Sequence, residues 1–319
     1  MLLRERSSRL PQPADPHRLA RAMNRTLFAL CIVSMPLTEA WAQIVSPTET
    51  ASQELLRQQE RERVLRRQQE QTPGVRLERP RAPLDADRLP AGESPCFTIE
   101  RIVLSGDSAG RFQWALDSAD RADMATGRCL GSRGINLVIK RVQNAIVGHG
   151  YVTARVLAEP QDLSTGTLKL TLIPGRIRSI RFVEGTDTRA TQWNAVPANP
   201  GDLLNLRDIE QALENLKRVP TAEADIQIMP AGGPEAKAGD SDLAITWKQG
   251  FPFRLSVSAD DSGAKATGKY QGGATLSYDH WWTLNDLFYV NFNHDLGGGD
   301  PGQRGTRGYT AHYSLPFGY

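Results

Sequence analysis

The sequence predicts an α+β protein: a polar N-terminal helix, two tandem modules that each set a small three-stranded sheet against two helices, and then the first strands of an antiparallel transmembrane β-barrel. Three observations predict it. One segment pattern occurs twice, each copy carries a long helical stripe of apolar residues, and the final part of the chain switches to period-two alternation.

The chain has 319 residues, a formal net charge of +2 and 39% hydrophobic residues. The basic residues are spread out, which excludes an electrostatic case for nucleic acid or an acidic substrate. Residues 1–42 read as a signal peptide with an N-terminal extension. Arg25 supplies the positive start, Leu27 to Val33 the apolar stretch, and Ala40-Trp41-Ala42 the small-x-small site, so cleavage is expected between Ala42 and Gln43. Cys31 has no small residue just before it, which argues against a lipoprotein signal.

Residues 43–71 are expected to form a plug-like polar helix. Gln53 to Gln71 is almost wholly Gln, Glu and Arg, with Leu55, Leu56, Val64 and Leu65 as its few apolar residues. Such a helix cannot pack in an ordinary core, so it is either solvated or held in a polar enclosure. Residues 72–95 form a Pro-rich linker, with prolines at 73, 80, 83, 90 and 95. Extended at about 3 Å per residue, it reaches roughly 70 Å.

The two modules are assigned to 96–175 and 176–250, each reading strand, short helix, long helix, strand, strand. Ile99, Ile102, Gly106 and Trp114 correspond to Ile177, Ile180, Gly185 and Trp193. Opening strands are expected over Phe97 to Leu104 and Arg176 to Val183, and closing strands over Tyr151 to Ala158, Thr167 to Ile173, Ala224 to Met229 and Asp242 to Lys248. The first long helix carries Ile135, Val138, Ile139, Val142, Ala145 and Ile146 on one stripe and stops at Gly148 and Gly150. The second carries Leu206, Ile209, Leu213 and Leu216, with Asn205 as N-cap and Pro220 at its end.

Past the leader, the cysteines are Cys96 and Cys129, both in the first module. In an oxidising compartment they are expected to pair, closing a loop of about thirty residues for roughly 3 to 4 kcal/mol; the alternative is two buried thiols. A metal would need more ligands than this pair offers.

Residues 251–319 are assigned to about four barrel strands. Leu255, Val257 and Ala259 alternate with Arg254, Ser256 and Ser258; Tyr270, Ala274, Leu276 and Tyr278 with Gln271, Thr275 and Ser277. Phe288, Val290 and Phe292 then alternate with Tyr289, Asn291 and Asn293, and Tyr309, Ala311, Tyr313 and Leu315 with Thr310, His312 and Ser314. A turn at Trp281 and Trp282 suits an interfacial girdle. A closed barrel needs about eight strands or more, so the chain is expected to be a fragment truncated within the barrel, or part of a larger assembly.

The runs Gly150-Tyr151-Val152-Thr153-Ala154-Arg155-Val156, Gln161-Asp162-Leu163-Ser164-Thr165-Gly166-Thr167-Leu168 and Pro174-Gly175-Arg176-Ile177 resemble those of two-partner secretion transporters, the haemolysin activation/secretion family. The resemblance implies two POTRA domains behind a plug helix and ahead of a barrel in the bacterial outer membrane, with the POTRA domains in the periplasm. It also implies transport of an unfolded secreted partner of haemolysin or filamentous-adhesin type, with no cofactor, no nucleotide and no small-molecule substrate. The partners it implies are that client protein and outer-membrane lipid. The client would be caught by strand addition and along a helix-and-strand groove. By this analogy Lys140, Arg141, Asn144, Thr153 and Arg155 are the candidate client-binding residues. Two alternatives stay open: an outer-membrane protein assembly factor, and a soluble periplasmic POTRA adaptor.

Gly106-Asp107-Ser108-Ala109-Gly110 matches the G-x-S-x-G elbow of hydrolases. An elbow needs a parallel sheet behind it and a placed His and acid, which a small repeat does not offer. No enzyme is expected. Asp279-His280 and His294-Asp295 read as rim or loop residues.

Overall fold

The computed structural model describes residues 47–70, 73–77, 88–121, 123–265, 267–299 and 305–317. The expected signal peptide and its cleavage site at Ala42 and Gln43 lie outside the described residues. Two compact units are present, Met1–Glu54 and Leu55–Tyr319. Of the first, the described residues form only opening turns of a helix, and every contact given below belongs to the second.

Helix α1 spans Pro47–Gln69, as its run of strong helix formers dictates. In the first repeat the expected opening strand is split, giving β1 (Phe97–Ile99) and β2 (Arg101–Gly106). β1 pairs with β3 (Arg128–Leu130) in a small ribbon of its own, in which Thr98 lies opposite Cys129. The Cys96–Cys129 disulfide closes that ribbon, with Cα atoms 5.3 Å apart. A 3-10 helix (Ala109–Ser118) and α2 (Ser132–Gly148) then cover a sheet in which β5 (Thr167–Ile173) lies between β2, parallel to it, and β4 (Arg155–Leu157), antiparallel. Ile99, Phe112, Val138, Val142, Leu168 and Leu170 form the core.

The second repeat repeats this topology. β8 (Asp240–Gln249) is central, parallel to β6 (Arg176–Phe182) and antiparallel to β7 (Ala222–Pro230). Helix α3 (Leu206–Leu216) is capped by Asn205, whose side-chain oxygen accepts from the Arg207 N–H at 3.0 Å. Its stripe of Leu206, Ile209, Leu213 and Leu216 is buried, together with Trp247 from β8. The expected short helix of this copy is replaced by turns: Thr186, Asp187, Thr188, Thr191, Asn194, Pro197, Asn199 and Pro200 punctuate the segment, and these favour local turns over helix propagation.

The linker is not a free tether. Val75 and Leu77 pack on the second core, and the Leu77 N–H donates to Glu210 Oε1 at 3.0 Å. Leu89 belongs to the first core, and Glu93 takes the backbone N–H groups of Gly131, Arg133 and Gly134 at 2.8, 3.0 and 2.9 Å. The Glu93 carboxylate therefore caps α2 from 40 residues upstream of Arg133 and sits against the positive end of that helix. Residues from Leu89 onward are structurally part of the first repeat.

Four strands follow: β9 (Phe253–Asp260), β10 (Tyr270–Asp279), β11 (Leu287–Gly297) and β12 (Arg307–Ser314), in the order β12-β11-β10-β9 and all antiparallel. Register keeps the two faces distinct. Leu255, Leu276, Val290 and Ala311 form one cross-strand row, and Arg254, Ser277, Tyr289 and His312 form the next, pointing the other way.

Candidate functional site

The polar face of this sheet is covered by α1. Gln69 is buried, and its Oε1 accepts from Ser277 Oγ at 2.6 Å and from Arg254 Nη1 at 2.8 Å. Glu70, just past the helix, is a hub: its Oε1 accepts from Ser314 Oγ at 3.0 Å and from Arg218 Nη2 at 3.0 Å, with His312 Nε2 3.4 Å away. One carboxylate thus ties the end of the helix to the second repeat and to β12. Thr275, Ser277, Tyr289 and Asn291 are buried on this face, while Leu255, Val257, Leu276, Val290 and Tyr309 on the opposite face stay exposed. Apolar side chains outward and polar ones inward is the reverse of a water-soluble sheet packed on a core. No helix among the described residues is long and apolar enough to cross a membrane.

The second repeat and the sheet are joined through the β10–β11 turn. His280, expected to be a rim or loop residue, does lie in the turn but is wholly buried against Trp247, with ring centroids 4.7 Å apart. Its backbone at φ +61° turns the imidazole into the repeat rather than along the strand alternation. Nε2 lies 2.8 Å from the Arg189 carbonyl and Nδ1 accepts from the Asn285 N–H at 3.0 Å, which defines a neutral ring protonated on Nε2. Burial, joined by the Arg189 charge, holds this imidazole below its ordinary range against the opposing pull of that carbonyl and of Asp286 and Asp187. Asn285 donates to Asn194 Oδ1 and to the Thr191 carbonyl, both at 3.0 Å, and Thr221 donates to Asp279 Oδ2 at 2.9 Å. Leu287 and Tyr289 complete the second core from the sheet side.

The two repeats meet at a tight joint, and the signature runs 150–156 and 174–177 lie in it, while 161–168 packs within the first repeat, where the Gly166 carbonyl accepts from the Glu100 N–H at 2.7 Å. Gly150, at φ +99°, passes so close to Asn205 that a Cβ there would sit 2.5 Å from its Oδ1, while a Cβ on Gly175 would overlap the Thr153 hydroxyl. Arg176 Nη2 reaches Asp107 Oδ2 at 2.8 Å and Ser108 Oγ at 2.9 Å. The hydrogen bond from Arg176 holds the Asp107 carboxyl below its usual range. The elbow-like serine therefore serves as a joint contact, and the G-x-S-x-G match reflects a turn.

The candidate client-binding residues separate into groups. Lys140 and Arg155 are exposed and Asn144 is half-buried. Arg141 is 1% exposed; its guanidinium reaches Asp123 Oδ1 at 2.5 Å and the Ala119 carbonyl at 2.8 Å, so it is a core ion pair and not a docking group. For Asp123, burial raises the carboxyl and the bonds from Arg141 and the Leu89 N–H outweigh it, so it titrates below its usual range. Thr153 belongs to the joint. The β4 edge is also occupied, because Gln143 of α2 donates to the Ala154 carbonyl and accepts from the Val156 N–H, both at 2.7 Å. The Arg141 position carried a readable signal: it lies three residues from Val138 and four from Ala145, within the buried stripe. Gln69 and Glu70 carry no such signal, and His280 reads from the sequence only as a rim or loop residue, since their roles depend on partners far away in sequence.

Two such repeats running into a sheet with a helix-covered polar face and an exposed apolar face define a repeat-bearing β-barrel membrane protein. Family models agree along the chain: the ShlB-type POTRA domain matches 97–175, the POTRA domain 176–230, and the haemolysin secretion/activation protein ShlB/FhaC/HecB 239–319. The chain belongs to this haemolysin secretion/activation family. The outer membrane transporter CdiB-2 of Burkholderia pseudomallei (strain 1026b) is 42% identical over 284 residues, which are 84% of this chain and 47% of the relative. The outer membrane transporter CdiB of Escherichia coli O6:K15:H31 (strain 536 / UPEC) is 32% identical over 303 residues, 91% of this chain and 47% of that protein. Among solved structures, CdiB from Acinetobacter baumannii has a TM-score of 0.69 at 28% identity, covering 85% of this chain and 51% of that one. The chain spans about half the length of the curated relatives it matches.

Proposed function

We propose that this chain supplies the periplasmic POTRA domains, the plug helix and opening barrel strands of an outer-membrane transporter for two-partner secretion. An unfolded secreted partner of haemolysin or adhesin type is caught by the POTRA domains and passes through the barrel without nucleotide, while acyl chains cover the apolar face of the sheet. One observation carries this reading: a helix polar on nearly every side is bound, through Gln69 and Glu70, to the polar face of a sheet whose other face is apolar and exposed. A water-soluble adaptor has no use for that inversion.

Client capture uses the exposed Lys140 and Arg155 on the first POTRA domain, with Asn144 beside them. With β4 bonded by Gln143, strand addition is directed to β7, an edge strand of the second sheet. The test is a photo-crosslinking amino acid placed at Lys140, Arg155 or Gln227 in cells that co-express a secreted partner. Adducts with the partner's N-terminal region support the reading; adducts from none of the three positions, with the transporter present in the outer membrane, refute it.

A further inference from the structure

Trp114 and Trp193 occupy matching positions in the two repeats, yet they are used differently. Trp114 covers the end of its own α2, with its ring 4.0 Å from that of His149, and its indole N–H donates to the Arg111 carbonyl at 2.9 Å. Trp193 is 63% exposed, and its recorded ring partner is Phe317, just past β12, at 6.3 Å and edge-on. Phe317 is itself 77% exposed. Two large aromatic rings, one from the second repeat and one from the sheet, thus stand together in the open.

Their location gives them a meaning. At the repeat end of the sheet, Phe253, Tyr278, Phe288 and Tyr313 lie directly opposite one another across all four strands, in a single register row on the apolar face. Trp281 continues the row below it, 5.0 Å from the Tyr278 ring and 5.2 Å from Phe288, with Trp282 beside it. A belt of amphipathic rings at one end of an outward apolar face is how barrels mark the level of the lipid headgroups. Trp193 extends that belt by one further ring. It is held there by the bonds of its neighbour Asn194 to Asn285 at 3.0 Å and to the Pro316 carbonyl at 3.4 Å, which fix this loop to both the β10–β11 turn and the end of β12.

We propose that the second POTRA domain is itself a membrane-contacting domain, in which Trp193, packed on Phe317, lies among phospholipid headgroups and glycerol groups of the periplasmic leaflet. The inference rests on the reading of the sheet as a membrane barrel. Indole suits this zone because its apolar body and single N–H donor meet a boundary that is apolar on one side and wet on the other. A transporter whose client-binding domain is itself seated on the leaflet keeps its entry edge at a fixed height above the pore.

The experiment uses the full-length transporter in liposomes of phosphatidylcholine brominated on the upper part of its acyl chains, with tryptophan emission compared against unbrominated lipid. Three proteins are measured: the parent, Trp193→Phe, and the double variant Trp281→Phe, Trp282→Phe. If the three belt indoles contribute equally, Trp193→Phe lowers the bromine-quenchable emission by about half as much as the double variant does, and that loss supports the proposal. Unchanged quenchable emission in Trp193→Phe, with a drop in the double variant, overturns the proposal while keeping the barrel reading; Trp193 would then be covered by another segment of polypeptide. An absence of bromine quenching in all three proteins overturns both.

Discussion

The two POTRA domains have one topology and are held together by different means. The first is self-contained: its ribbon is closed by Cys96–Cys129, its α2 is capped by Glu93, and its buried Arg141 is neutralised by Asp123. The second has no cystine, and its stability is shared with neighbours. Arg218 is tied to Glu70, Val75 and Leu77 from the linker cover its core, and His280, Leu287 and Tyr289 enter it from the sheet. Duplication of a module does not duplicate its energetics. The first draws most of its stabilising contacts from its own residues, and the second shares its contacts with helix, linker and sheet.

That contrast can be broken or sharpened in order of expected size. Arg141→Ala strips Asp123 of its buried cation, leaving only the half-exposed Arg128 at 3.1 Å, and costs about 3 to 5 kcal/mol, localised to the first repeat. Thermal melting monitored by hydrogen exchange in residues 97–173 reads it, and a loss of only a few tenths would reassign Arg141 to the surface. Reduction of Cys96–Cys129 removes roughly 3 to 4 kcal/mol by releasing a closed loop of 33 residues. Exchange in the second repeat stays as before, and equal loosening of both repeats would contradict the claim that the first is stabilised on its own.

A smaller effect is expected from acid, and in the opposite domain. His280 is neutral and its folded pKa is depressed, so the unfolded form binds the proton more readily. The stability it confers is complete above the imidazole's unfolded value of about 6.5 and falls as pH drops below it. Protonated Nδ1 would present its hydrogen to the Asn285 N–H, donor against donor. Protection factors in residues 279–286, taken against the intrinsic exchange rate at each pH, therefore fall between about pH 7.5 and pH 5.5, and His280→Gln flattens that dependence. A turn equally protected at both pH values would sink this account.

Much of the architecture was legible because it rests on local pattern. The alternation from Leu255 to Leu315, the stripe of α3, the Asn205 cap and the second copy of the repeat all follow from side chains a few residues apart. What was not legible depends on distance in sequence. Glu93 caps a helix far downstream, Gly175 is small because Thr153 lies against it, and His280 escapes the strand alternation through a left-handed backbone. Arg141 is the instructive exception. It sits within the apolar stripe, and reading a charge as solvated by default hid what the helical period made visible.

The central claim is that α1 is bound to the polar face of the barrel sheet. It is tested most directly by the pair Gln69→Cys and Ser277→Cys, which replaces a contact of 2.6 Å between Gln69 Oε1 and Ser277 Oγ. In native outer membranes, with no secreted partner present, a short bis-maleimide that spans about 8 Å should link the two thiols within one chain, since the contact is made through the length of the Gln69 side chain. A pair in which both thiols react with the reagent yet stay unlinked would contradict it.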